Sequence, residues 1–466
     1  MRFQKLSIVQ TTLLWLAYFG SSSAINLSQF AERDRITRDV CVIGGGSSGT
    51  YGAIRLREFG KSVVVIEKNN RLGGHTHTYI DPATGIPADY GVMVFDDLPV
   101  VHNYFAHFNI PIMKMAQTGP PNQIAVDFRT GEAFTPSTPN AGTPAAIERH
   151  SALLDRYPYL DDGFNLPDPV PDDLLLPFGE FAAKYNLGDA VSTISLYCPG
   201  GDYLNQPALY ILKCFNPQVL AGHLTGFYVT EEDNNSLLYA AALEELGEDA
   251  LLQSRVVYME RDIGEDIVYV VVWTPSGLKL ITAKKVLISI PPMLENLKGF
   301  DLSQKERSLF SQFRASSYVT TLLNDTGIPD GLAIEARGVD TPYNLPALPG
   351  PYSSLPKRIP GVTNFYYGSE DRVDLGLAAQ DITTNILRLR NAGLPTKVPE
   401  FLTLLDHWPF LVTVSPEAIA GGFYRDLNAL QGERNTYYTG ATFQCQDSAM
   451  VWNFTEGLVQ IMVQEI

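Results

Sequence analysis

The sequence predicts an α/β fold in two domains, and three observations predict it. An apolar run over residues 40–43, Val-Cys-Val-Ile, leads directly into Gly44, Gly46 and Gly49, a G-x-G-x-x-G spacing. A helical stretch and a second, β-branched run at Val63–Ile66 follow at once. The chain has 466 residues, 45% hydrophobic and 11% aromatic, which is enough for a second domain and a sizeable core.

The two apolar runs suit parallel strands buried on both faces. Of the glycines between them, the first permits the tight turn and the second lets backbone approach a pyrophosphate with no Cβ in the way. The third lets the helix pack close to the strand. The helix is expected over residues 50–59, with Gly60 at the position of a C-terminal cap and the N-terminus facing phosphates. Glu67 ends the second strand 18 positions past Gly49, close to the ~20 expected of an acid that holds an unphosphorylated ribose. Strand, glycine turn, helix, strand and acid together point to a Rossmann-like dinucleotide site; a purely structural glycine turn is the alternative.

The formal charge of −17 argues against nucleic acid and anionic membrane surfaces as partners and fits a solvated acidic surface. Arg2 and Lys5 precede an apolar run over residues 6–19 and then Gly20, three serines and Ala24, the layout of a signal peptide cleaved after residue 24. Later in the chain no stretch is long and apolar enough to span a bilayer. A secretory route gives meaning to the sequons at Asn26, Asn234 and Asn324; a fourth is at Asn453. Cys41 reads as a buried small hydrophobe, and Cys198 with Cys214 is the expected disulfide among the remaining three cysteines. No cysteine or histidine spacing suggests a metal site.

Past Gly74 come His75 and His77, a turn at residues 81–85, and over residues 88–95 an Asp89-x-Gly91 turn before an apolar run. Residues 117–222 are rich in proline and paired aspartates and read as largely irregular, with helices at 177–185 and 206–215. A helix is expected at 234–246 and strands at 255–259, 267–273, 278–281 and 285–290, the last ending in Pro291-Pro292. Further elements are a helix at 303–313, a strand at 317–323, a proline-rich loop at 342–360, and a helix at 380–392. A last strand and glycine turn are expected at 434–443, and a closing helix at 453–465.

The string Glu67-Lys-Asn-Asn-Arg71-Leu-Gly73-Gly74 resembles the second phosphate-contact motif of the flavin monoamine and polyamine oxidase superfamily. That resemblance implies FAD and an FAD-binding fold assembled from discontinuous segments. Residues 25–116, 231–300 and 412–466 would form the FAD-binding domain, and 117–230 and 301–411 the substrate domain. The implied cofactor contacts are Gly44, Gly46, Ser48, Gly49, Glu67, Lys68, Arg71, Gly73, Gly74, His75, Val257 (to adenine), Gly440 and Phe454. The superfamily usually has Arg where this chain has His75, which would contact a phosphate or fill the loop as a hydrogen-bonded residue. Leu-Gly-Gly-His-Thr, the Gly-Gly-Ser-Ser-Gly-Thr-Tyr loop, and Leu-Gln-Gly followed by Thr-Tyr-Tyr-Thr-Gly resemble fungal β-cyclopiazonate dehydrogenase-like FAD oxidoreductases.

Three positions carry the chemistry that the resemblance implies. Phe423 stands where monoamine oxidases have the cysteine bonded to flavin, so the FAD would be noncovalent. Tyr424 and Phe454 match the aromatic pair that walls the substrate approach, a wall suited to an apolar or aromatic small molecule. If Phe454 lines that cavity, Asn453 would be inaccessible. Thr320 matches the position of the lysine near flavin N5, so a feature of amine oxidation with fast oxygen reduction is missing. The expected activity is that of an FAD-dependent oxidoreductase of secondary metabolism, a dehydrogenase or oxidative cyclase moving hydride from a substrate C–H to flavin N5, with oxygen or another acceptor reoxidising it. An amine oxidase, a redox-neutral flavin isomerase and a non-catalytic flavin-binding protein are the alternatives.

Overall fold

The structure, a computed structural model, describes residues 29–115, 122–135, 142–261 and 266–466. The expected signal segment and Asn26 lie outside the described residues.

Seven strands build the first sheet: β1 (Arg35–Ile43), β2 (Val63–Ile66), β3 (Ala250–Leu251), β4 (Arg255–Glu260), β5 (Val268–Thr274), β6 (Gly277–Ile288) and β7 (Thr436–Tyr438). Their order is β4-β5-β6-β1-β2-β3, with β7 also paired to β6. β1 runs parallel to β2, with Val40 opposite Val63, and parallel to β6, with Ile43 opposite Ile288. Successive side chains leave a strand on opposite faces. Val40, Val42, Val63 and Val65 accordingly pack with Tyr51, Ile54 and Trp452 on one face, while Cys41, Ile43, Val64 and Ile66 join a separate core cluster on the other.

The first face is covered by α1 (Ser47–Glu58), α2 (Ser236–Leu246) and α3 (Ser448–Glu465). Tyr51 of α1 stacks on Trp452 of α3 at 6.0 Å, and Glu456 takes hydrogen bonds from Arg55 (2.9 Å) and Tyr51 (2.7 Å). At the far end of the sheet the Arg261 guanidinium, fully buried, pairs with Asp301 and Glu306, and Glu306 also accepts from the Tyr438 hydroxyl. Burial works to raise the Glu306 carboxyl, but the Arg261 hydrogen bonds and charge prevail and hold it at about 2.

The second sheet has nine strands and is built around Arg314–Asn324, which pairs with Thr363–Ser369, Glu400–Phe401, Leu405–Asp406 and Phe410–Thr413. Helix Leu375–Arg388 covers it, packing Ile382 and Ile386 against Val319 and Phe365. No described helix is long and apolar enough to cross a membrane.

Several expectations are corrected. α1 begins at Ser47, three residues early, because the glycine loop runs straight into the helix. The strands expected at 278–281 and 285–290 are one strand, β6, whose first half pairs with β5 and whose second half pairs with β7. The stretch 117–222 contains helices Thr143–Leu154, Gly188–Ser195 and Pro217–Thr225 besides the two expected, and proline opens two of these at a first-turn position where its missing N–H costs nothing. The proline-rich loop contains strand Gly350–Pro356, where Pro351 is tolerated at a register shift. The chain turns at Gly91, where a Cβ would lie 1.9 Å from the His75 carbonyl, but the apolar run 92–95 after it forms no strand, only a single bridge from Phe95 to Tyr228; the strand here is Pro87–Asp89, before the turn. Cys198 and Cys214 are free thiols, not a disulfide: Cys214 donates to the Tyr197 carbonyl at 3.0 Å and Cys198 points at the Ile211 carbonyl.

Candidate active site

The glycine loop does what its spacing predicts. Gly44 turns with φ +105°, a Cβ at Gly49 would sit 2.0 Å from the Gly44 carbonyl, and Gly46 keeps an ordinary φ with nothing nearer its Cβ position than Gly74 at 3.8 Å. α1 has no side-chain cap. Its first-turn N–H groups and the positive end of its dipole are therefore offered to an anion from outside the helix. Ser47 of this turn bonds to Ser448 (3.2 Å), Tyr239 (3.1 Å) and Trp452 (2.8 Å), so the N-termini of α1 and α3 converge beside it. Ser48 is buried, its Oγ near Gly440, which turns with φ +104°.

Glu67 is also buried and accepts from Gly45 N and Asn69 N, each at 2.8 Å. It braces the loop, and each oxygen keeps a second acceptor site for a ribose hydroxyl. Lys68 beside it is exposed. Arg71 is spent on the second glycine loop, donating to the carbonyls of Leu72, Gly74 and Thr76 and to a ring nitrogen of His77 at 2.7 Å. That loop turns at Gly73 and Gly74, both at positive φ, and Gly73 N bonds to Gly45 O at 2.7 Å, locking the two loops together. Val257 is the residue skipped where the β4–β5 register shifts between Val256 and Tyr258. A bulged residue is left out of the ladder, which suits a backbone reserved for adenine.

The His75 ring stacks on His407 at 4.2 Å and 5°, and His407 also faces His77 at 5.9 Å and Tyr318 at 6.0 Å. Tyr318 continues the layer to Phe410 at 4.9 Å and Tyr366 at 5.8 Å. Burial, helped by the charges of Lys68 and Arg71, lowers His75 to about 4; burial with Arg71 and His75 lowers His77 to about 3. His407 is driven down by burial and by the other two histidines. The layer is neutral, and its rings join the glycine-loop side to the second sheet. Sequence reasoning missed its second-sheet half; the His75-x-His77 spacing was the signal for the first.

Tyr424 is fully buried, bonds to the Tyr210 hydroxyl at 2.8 Å and stacks on Phe164 at 3.9 Å and 11°. Gly163 abuts Phe454, so the Gly163-Phe164 turn touches both walls. Lys213, buried, fixes that turn by donating to the carbonyls of Leu160 (2.7 Å) and Gly163 (2.6 Å) and to Gln444. α3 starts before residue 453, which places Phe454 inside the helix and leaves Asn453 exposed, against the expectation. Phe423 packs edge-on to Phe313 and Tyr424 and offers no nucleophile. Thr320 is buried and donates to the Tyr90 carbonyl, so no lysine stands there.

These residues fit a dinucleotide: an uncapped helix end lies between two locked glycine loops, and the buried His407 Nε2 has no partner among the described residues. Comparison with known proteins agrees. Residues 42–108 match the NAD(P)-binding Rossmann-like domain family. The chain is 38% identical to FAD-dependent oxidoreductase dbaF of Emericella nidulans over 99% of this chain and 98% of the relative. It is 36% identical to β-cyclopiazonate dehydrogenase of Aspergillus oryzae over 96% of each. Among solved structures, a fatty acid isomerase of P. acnes shares the fold with a TM-score of 0.74 at 19% identity, covering 91% of this chain and 98% of that one. Putrescine oxidase shares it at 0.65 and 14%, covering 92% and 100%. The chain belongs to the family of fungal FAD-dependent oxidoreductases that includes β-cyclopiazonate dehydrogenase.

Proposed function

We propose that the protein is an FAD-dependent dehydrogenase or oxidative cyclase of secondary metabolism, acting on an apolar or aromatic small molecule. The observation that carries this reading is the site's construction: an uncapped α1 end between two locked glycine loops, with a neutral ring layer beside it. Noncovalent FAD supplies the hydride acceptor. The chain's own residues bind and orient. The α1 N–H groups hold the pyrophosphate, Glu67 the ribose and the Val257 backbone the adenine. The ring layer of His75, His407, Tyr318 and Phe410 excludes water and offers flat faces to an apolar substrate. Tyr424 and Phe454 wall the approach through the Gly163-Phe164 turn. Thr320 in place of a lysine weighs against amine oxidation.

The test is an anaerobic absorbance titration of the yellow holoprotein with β-cyclopiazonate, related aromatic metabolites and simple amines. Bleaching by the metabolites and not by amines is the expected result; bleaching by amines alone overturns it. Oxygen or another acceptor completes the cycle. Entry into the secretory route, with glycans at Asn26, Asn234 and Asn324, belongs to the same proposal and is supported by the apolar N-terminal run. A mobility shift on endoglycosidase treatment checks it.

A further inference from the structure

Lys357 follows strand Gly350–Pro356 and points toward the segment after the Asp89-Tyr90-Gly91 turn, where the first domain meets the second sheet. Its Nζ donates to the Met93 thioether at 3.4 Å, and among the described residues no carboxylate lies within ion-pair distance. An ammonium has three donors, and a thioether is a weak acceptor. The nearby carboxyl, Asp89, is buried and already engaged, accepting from Thr78 and from Asn235 N at 3.1 Å. Met93 is one residue from Val92, whose N–H bonds to the His75 carbonyl at 3.2 Å, so the lysine lies along the chain from the ring layer.

We propose that Lys357 is an anion subsite of the substrate site, taking the carboxylate or acidic enol of an organic substrate whose apolar body faces the ring layer. The proposal rests on the reading of that layer as the substrate side. Nothing in the sequence singled out this lysine; it became visible only when the second sheet brought it to Met93. The charged groups facing it are Asp89 from the strand Pro87–Asp89 and Asp233 from the turn before α2, while Arg358 beside it is exposed. Burial raises Asp89 to about 7, against the pull of its hydrogen bonds, and burial lowers Lys357 to about 8. Below pH 7 the Asp89 carboxyl is therefore neutral and no longer offsets the ammonium, which leaves Asp233 as the acidic group facing it. Above pH 8 the ammonium is lost and Asp89 repels an anion.

Benzoate and its neutral isostere benzamide, titrated calorimetrically into the holoenzyme, test this. At pH 6.5 benzoate is expected to bind about tenfold or more tightly than benzamide, and its affinity to fall about tenfold by pH 9. Lys357→Met should abolish the preference and Lys357→Arg keep it. Equal binding of the two probes, no binding of benzoate, or a preference that survives Lys357→Met overturns the subsite. The wild-type pH series decides by itself if the Met variant does not fold. If benzoate behaves as stated while no metabolite bleaches the flavin, the subsite stands and the dehydrogenase reading falls; bleaching with indifferent benzoate binding does the reverse.

Discussion

The glycine loops and the ring layer lie against each other, yet they are built from opposite physics. At the loops, backbone does the work: positive φ at Gly44, Gly73 and Gly74, a carbonyl 2.0 Å from where a Cβ would stand at Gly49, and a helix end with no cap. In the layer, side chains do it: aromatic and imidazole rings from distant parts of the chain, His407 and Phe410 buried and His75 and Tyr318 half-buried, all uncharged. Backbone geometry tolerates almost no substitution, whereas a ring layer tolerates any ring. Substitutions in the two regions should therefore fail in different ways.

The largest effect is expected at Gly49. Gly49→Val forces a side chain into the Gly44 carbonyl, and the purified protein should retain less than about a tenth of the wild-type flavin. Gly46→Asp is the sharper probe, because Gly46 has an ordinary φ and room for a Cβ. The new carboxylate would cap α1 from within and repel a pyrophosphate, so FAD affinity should fall by about tenfold or more while the apoprotein melts no lower. Unchanged FAD affinity would show that the open helix end is not what binds the phosphates.

Glu306→Gln tests the stability of the first sheet's far end apart from the site. Breaking the buried pair with Arg261 should cost about 3 kcal/mol in chemical unfolding. Because the Glu306 carboxyl is held at about 2, below its ordinary value, its stabilisation is complete above that ordinary value and lost as pH falls toward 2. The wild type should therefore lose stability on acidification over that range, and the variant should lose less. In the ring layer, His75→Phe should keep flavin content near the wild-type level while His75→Ala lowers it, since the account assigns His75 a face and not a charge. The smallest effect is Tyr424→Phe, which removes one hydroxyl–hydroxyl bond with Tyr210 and should cost about 1 kcal/mol with flavin content unchanged.

The same contrast explains what was legible in the sequence. Gly44, Gly46, Gly49 and Glu67 are fixed by local spacing, since the strand, turn and helix they serve are contiguous, and the structure places them as their spacing predicts. The ring layer was half hidden. His75 and His77 lie next to the second glycine pair, but His407 and Tyr318 reach them only through the pairing of Arg314–Asn324 with Leu405–Asp406, a contact of residues far apart in sequence. Lys213 and Lys357 were invisible for the same reason: a lysine reads as surface until tertiary packing buries it. The stretch 117–222 was misread because Pro144 and Pro217 sit at helix starts, where proline favours the helix that follows.

The most direct test of the central claim is to precipitate the purified protein with acid and identify what is released. One FAD per chain, free in the supernatant, is the expected result, because the loops hold a dinucleotide and Phe423 offers no covalent anchor. A colourless protein that FAD cannot reconstitute, a flavin that stays with the precipitate, or FMN in place of FAD would contradict it.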